Sequence, residues 1–202
     1  MILRLIPVVF ILMNPIFSLS AQDTLTLMSG KTLVVKNVGL SGYSVSYRTT
    51  KAKNKLKSIN VDKVFSIKYA NGTERIIYLP DSLETDEYSV SEMRMFIKGE
   101  QDAIKYFKND LNKVVAFLFG AGSAYFSFYG IVGPAVYSTI VGSFSPDVRK
   151  QKTSDTALME VVDYRDGYAL KMRNIKTKNS LIYGLAGFAT GIITFSIIGN
   201  NN

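Results

Sequence analysis

Cysteine and histidine are absent from all 202 residues, and each absence removes a class of chemistry. Without cysteine there is no disulfide, no thiolate nucleophile and no lipoprotein-type attachment point. Without histidine as well, neither the Ser-His and Cys-His nucleophile systems nor the usual zinc ligand sets can be assembled. The remaining carboxylates cluster at Glu84, Asp86 and Glu87 and again at Glu100 and Asp102. A solvated loop and a helix N-terminus favoured by the macrodipole account for both groups. No phosphate-cradling glycine loop is written in the sequence, because the glycines concentrate in apolar stretches. The expectation is therefore no catalytic residue, no cofactor, no metal, and a protein that is not an enzyme.

Charge is missing too, apart from Arg4, from residues 1–22, 114–144 and 179–202. Such segregation points to lipid rather than to a soluble core. In the first stretch Arg4 precedes an apolar run from Leu5 to Phe17 and then the small residues Ser18, Ser20 and Ala21. That order reads as a secretory signal peptide over 1–21, cut after Ser20 or Ala21. An uncleaved anchor is the competing reading, but Pro7, Asn14 and Pro15 leave the run short of the roughly 20 apolar residues a spanning helix needs. The formal net charge of +8 would then face anionic headgroups rather than nucleic acid.

Residues 22–80 carry strand periodicity: Leu25 and Leu27 alternate with threonines, Leu33 and Val35 follow Gly30, and Val45 and Tyr47 alternate with serines. Further strands fit Ser58–Val61, Val64–Tyr69 and Arg75–Leu79, with Asn71-Gly72 as a two-residue hairpin signal. The predicted unit is a small barrel or rolled sheet whose own core is marginal. Lys51, Lys53, Lys55 and Lys57 recur at every second position, so an extended backbone puts all four on one side. They read either as a ridge for headgroup or partner contact or as lysines that blunt a sheet edge. No aromatic is interleaved with them, which removes the stacking half of a nucleic-acid site.

From Ser89 the period becomes helical. Ser89 and Glu92 match a capping box, and amphipathic helices follow over 89–113, bent or ended near Gly99. The 31 uncharged residues of 114–144 would measure about 46 Å as one helix, longer than the ~30 Å hydrocarbon layer. A spanning helix near 114–133, kinked near Gly133-Pro134, with a kinked or re-entrant continuation, resolves the excess. Residues 145–178 form a basic connecting segment, and 179–199 a second transmembrane helix. Ala116, Gly120 and Ala124, and then Gly187 and Gly191, repeat a four-residue spacing that lets helices approach closely, either between copies or within one chain. In the connecting segment Tyr164, Tyr168, Met172 and Ile175 make one stripe beside Arg165, Lys171, Arg173, Lys176 and Lys178, which reads as an interfacial, lipid-contacting element. With the first unit exported, the positive-inside rule would place this basic segment in the cytoplasm and return the C-terminus outside.

Several local patterns occur in a fixed order: Asp23-Thr24-Leu25-Thr26-Leu27 with Gly30; Val64 to Tyr69 with Asn71-Gly72; Gly99-Glu100-Gln101-Asp102-Ala103; and Asp163-Tyr164 with Gly167-Tyr168. In this order the chain resembles a family of uncharacterised exported proteins of Bacteroidetes-type bacteria. The resemblance implies a two-membrane envelope and a β-then-helical layout, and it brings no activity. The expected fold is α+β, with a small β-unit, amphipathic helices and two transmembrane helices. The expected function is a non-enzymatic cell-envelope membrane protein whose exported β-unit binds a protein partner; the alternative is an oligomeric pore or membrane-perturbing assembly of the spans. The expected partners are a lipid membrane and a protein or further copies of the chain, in the inner membrane with a periplasmic β-unit or in the outer membrane.

Overall fold

The computed structural model describes residues 22–50, 54–80, 87–144 and 147–199. The expected leader, Lys51, Lys53, Glu84 and Asp86 lie outside them. The described chain is α+β. Six strands, β1 Asp23–Leu27, β2 Thr32–Ser41, β3 Ser44–Thr49, β4 Leu56–Asn60, β5 Val64–Lys68 and β6 Glu74–Ile76, form one antiparallel sheet in the order β4-β3-β2-β1-β5-β6. The sheet is open, with β4 and β6 as its edges, so the barrel expectation is corrected. Leu25, Val35, Val45 and Ile67 nevertheless lose all or nearly all exposure within a cluster made only of residues from the strands and their turns. One face of the sheet curls over itself far enough to bury its own core.

The turns explain the order. Gly30 and Gly72 both sit at positive φ (73° and 88°) and close three-residue hairpins, in which Leu27 N–H meets the Lys31 carbonyl and Tyr69 N–H the Thr73 carbonyl. Asn71-Gly72 is therefore the end of a three-residue loop with glycine at the left-handed position, not a two-residue turn. Between β1 and β5 the register slips at Leu27/Val64, which gives β5 one extra residue. That bulge turns Phe65 away from the core, and four consecutive β5 residues become buried on two faces.

Phe65 is covered by α1, Val90–Tyr106, whose Arg94 lies 5.4 Å over its ring and bonds Glu74 of β6 at 3.0 Å. The capping box at its start is complete: Ser89 N–H donates to Glu92 at 2.7 Å, and Glu92 N–H donates back to the Ser89 hydroxyl. The helix runs straight through Gly99. What Gly99 provides is proximity, because a Cβ there would stand 2.0 Å from the Tyr164 carbonyl of the last helix.

Three further helices complete the chain: α2 Asp110–Ser123, α3 Val132–Ser143 and α4 Val162–Gly199. A 3-10 segment, Ala124–Ile131, joins α2 to α3, and within it Phe126 and Ser127 leave helical dihedrals, Ser127 at φ 54°. The break expected at Gly133-Pro134 thus falls seven residues earlier. Pro134 occupies the first turn of α3, where its missing N–H costs nothing. Beyond the break the chain turns back. Gly133 lies against Ser123, and Tyr137 stacks on Phe119 at 5.1 Å while reaching Asn112 at 3.3 Å, so α3 descends beside α2. The long apolar stretch is a helical hairpin whose two ends share one side.

Candidate functional site

On the curled face of the sheet an open groove of about 830 Å³ remains. Its floor is apolar, from Leu27, Leu33, Val35, Tyr47 and Ile59, and its rim is basic, from Lys31, Lys55 and Lys57. Register explains the rim: Lys57 stands opposite Tyr47 and two residues before Ile59, whose partner is Val45, so the lysine alternation falls on the core side of β4. Lys55 and Lys57 therefore line the groove while remaining exposed at the β4 edge of the sheet. Lys31, from the first hairpin, joins them only through the fold and had no signal in the sequence. Among the described residues β4 has no partner on its outer side, and Leu56 points away from the groove at 61% exposure.

Behind the sheet, α1 and α4 cross at reciprocal glycines, for a Cβ on Gly167 would meet the Phe96 carbonyl as closely as one on Gly99 meets Tyr164. The stripe Tyr164, Tyr168 and Met172 is fully buried in this crossing, with Ala103, Val148 and Met159. It is core, and the expected lipid-facing stripe is corrected accordingly. The acidic pair of α1 is part of the same joint. Asp102, 3% exposed, accepts from the Tyr164 hydroxyl at 2.7 Å, from the Ser154 hydroxyl at 2.5 Å and N–H at 3.2 Å, and from Lys98 at 3.1 Å. Burial pushes its carboxyl up, but the Ser154, Tyr164 and Lys98 bonds outweigh this and hold it below the usual carboxylate range. Glu100 differs. Its burial pushes the carboxyl up, and Lys171, 3.6 Å away, opposes this without cancelling it. One Glu100 oxygen has no hydrogen-bond partner. Lys171 meanwhile donates to the Ser29 carbonyl at 2.5 Å, pinning the first hairpin to α4. Lys171 is thus a structural cation, whereas Arg173 and Lys178 are exposed and Arg165 and Lys176 half-buried.

These bonds tie the connecting segment to the β-unit. The segment 147–178 touches α1 and the first hairpin directly, so it lies on the same side as the sheet. The arrangement that put it across a membrane from the β-unit is corrected by the Asp102–Ser154 and Lys171–Ser29 contacts.

The small residues of the apolar region meet within one chain. A Cβ on Gly120 would stand 1.9 Å from the Gly184 carbonyl, one on Gly187 2.0 Å from the Phe117 carbonyl, and one on Gly191 2.6 Å from Ala124 Cβ. Ala116 and Ala124 are buried at the same seam. Ser180 meets Asn112 at 2.7 Å, and Tyr125 meets Phe195 at 6.2 Å, so α4 runs parallel to α2. Gly122, by contrast, faces open space. Among the described residues no group of His, Cys, Asp and Glu side chains could hold a metal ion. By length and composition alone Asp110–Ser143 and Val162–Ile198 each qualify as a candidate membrane span, although the first folds back on itself at Phe126-Ser127. No protein-family model, no curated protein and no solved structure matches the chain, so its chemistry is read from its own residues.

Proposed function

We propose that this is a non-catalytic, membrane-anchored binding protein of the bacterial cell envelope: α2, α3 and the second half of α4 sit in lipid, and the sheet stands at the surface with its groove open to a protein partner. The observation that carries the reading is what the helices fail to bury. Only 22% and 17% of their most apolar windows are covered by the rest of the chain, where a soluble core helix would be mostly covered. Leu118, Val132, Ile140, Ile193 and Ile197 are each more than half exposed, and apolar side chains concentrated in this way mark a surface that meets lipid or a partner. Hydroxyls in this region turn inward on their own helices: Thr139, Ser143, Thr190 and Thr194 each donate to the carbonyl four residues back. That is the economy expected where water is absent. From Lys178 to the level of the hairpin tip, at Ile192–Ser196, is about 21–27 Å along α4 at 1.5 Å per residue. The exposed aromatics Tyr125, Phe126, Phe128 and Tyr129 at that tip then fall near the far headgroup layer, where such rings are enriched.

The partner proposed for the groove is an extended, acidic segment of another protein. Three lysines around an apolar floor beside an unpaired strand edge suit strand addition with charge complementarity. The oligomeric-pore alternative drew on the Gly/Ala spacing, and that spacing is occupied inside one chain.

The absence of native cysteine makes the test simple. Single cysteines at Lys55, Lys152 and Ile198 are treated with an impermeant maleimide in cells whose outer membrane alone is permeabilised. Lys55 and Lys152 should label together, and Ile198 should be protected from that side. Opposite labelling of Lys55 and Lys152, or release of the protein by alkaline carbonate, would sink the proposal.

A further inference from the structure

Where the charged half of the molecule meets the apolar half, a depression of about 430 Å³ opens between the start of α2, the segment 147–151 and α4. We infer that this depression is a binding site for a phosphate-bearing anion, with a lipid headgroup as its source. Three independent features converge on it. First, α2 begins here without a side-chain cap: Asn109 occupies the N-cap position but makes no capping hydrogen bond, which leaves first-turn N–H groups and the positive end of the helix dipole facing the opening. Secondly, Asn109 is 93% buried, since its exposure is 7%, and its side-chain amide nitrogen has no partner. A buried donor of this kind calls for an acceptor, and none is found among the described residues. Thirdly, Lys108, Lys150 and Lys176 come from three different segments to line the same opening. Two carboxylates share the rim, but Asp110 is 76% exposed and turned to Lys113 at 2.8 Å, and Asp147 is held by Lys150 at 3.2 Å. Among the described residues Lys108 and Lys176 make no direct ion pair, although Lys108 also feels the Asp110 carboxylate, and both can meet an anion.

The lipid source follows from the surroundings. Phe107, Leu111 and Met172 make the other wall, and Leu111 is 80% exposed. Asp110 also borders a second, mostly apolar depression of about 420 Å³ along α2, lined by Lys113, Val114, Phe117, Leu118 and Tyr183. A phosphate seated at Asn109 would have its acyl chain directed along that depression. The source therefore rests on the membrane-anchor reading, while the anion chemistry does not.

The full chain, purified in neutral maltoside detergent, is titrated with monomeric dihexanoylphosphatidylglycerol, with dihexanoylphosphatidylcholine and with inorganic phosphate, and binding is read by calorimetry. Phosphatidylglycerol should bind at least about tenfold more tightly than phosphatidylcholine, and Lys108→Gln with Lys176→Gln should remove about tenfold or more of that affinity. Each single variant, made separately, should give a part of the loss, which guards against misfolding of the double variant. If inorganic phosphate neither binds nor competes at millimolar concentration, the occupant is a lipid headgroup; if it binds and displaces phosphatidylglycerol, the occupant is a free anion. Equal binding of the two lipids, or affinity unchanged in the variants, overturns the site. Carbonate release with intact phosphate binding would instead refute the anchor and leave the site standing.

Discussion

Glycine-to-alanine substitution along the apolar seam separates packing inside one chain from packing between copies. At Gly120 the added Cβ would lie 1.9 Å from the Gly184 carbonyl oxygen. The shortest comfortable carbon–oxygen contact is about 3.3 Å, so the helices must part by about 1.4 Å. Backbone cannot swing aside as a side chain can, and overpacking of this sort costs about 1–3 kcal/mol, here toward the upper end. Alanine returns about 1 kcal/mol of helix propensity, leaving a net loss of about 2 kcal/mol, or roughly thirtyfold in the folded-to-unfolded ratio. Gly187→Ala meets the Phe117 carbonyl at 2.0 Å and should behave alike. Gly122→Ala meets nothing within 4 Å and should be neutral or stabilising by up to about 1 kcal/mol. Thermal loss of monodisperse protein in detergent, followed by size exclusion, ranks the three variants. Damage at Gly122 equal to that at Gly120 would refute the intrachain seam, since Gly122 would then have to face another copy.

Four further outcomes follow from the polar joint and the sheet. Asp102→Asn should free residues 147–160 to limited proteolysis, because a charged acceptor for Ser154, Tyr164 and Lys98 is lost at about 1.5–3 kcal/mol per charge-assisted bond; unchanged cleavage would argue against the network as the clamp. Since the folded Asp102 pKa lies below its ordinary 3.8, its contribution is present above that value and lost as pH falls through the folded pKa, so the gap between wild type and Asp102→Asn should narrow only in strong acid. Glu100 has the opposite sign: its folded pKa is raised above 4.5, the folded state binds the extra proton, and its charge penalises folding at neutral pH and ceases to do so as pH falls through the folded pKa toward 4.5. Glu100→Gln should therefore gain in melting temperature relative to wild type at pH 7 and lose that advantage near pH 4.5; a constant offset would exclude the titration. Residues 22–80 expressed alone should melt broadly, because Phe65 and Ser66 lose the cover of α1, and a sharp cooperative transition would contradict this.

The parts of the fold legible in the sequence were those encoded locally. Alternation set β1 to β3, the Ser89/Glu92 box set the start of α1, and the absence of charge marked both apolar regions. Where two elements had to be combined, local pattern lost to packing. The bulge at Val64 put Phe65 on the outer face, a choice made by register with β1 rather than by any residue of β5. Gly99 looked like a helix terminator because intrinsic propensity says so, and the close approach of Tyr164 overrides that cost. Of the basic residues singled out, Lys55 and Lys57 reached a groove, Lys171 became an internal tie, and Lys176 joined Lys108 and Lys150, which nothing in the sequence connects.

The positive-inside expectation conflicts with the Asp102–Ser154 and Lys171–Ser29 contacts for a deeper physical reason. Counting lysines and arginines about an apolar run assumes that the run crosses the membrane, and the 31 uncharged residues of 114–144 carry no local mark of where they turn. The obvious breakers, Gly133 and Pro134, sit at the start of α3, where proline is compatible with a helix. The actual turn falls on Phe126-Ser127, with a serine at positive φ that intrinsic preference disfavours. That conformation is selected from outside the turn: Gly130 and Gly133 allow α3 to return against Ser123, and Gly184 receives Pro134 on α4. A hairpin with both ends on one side then requires the connecting segment to stay with the sheet, and the buried Asp102 supplies the contact that holds it there. The acidic residue credited to a helix N-terminus and the glycines left open between an intrachain and an intercopy seam are thus two halves of one constraint, and neither half can be recognised without the other.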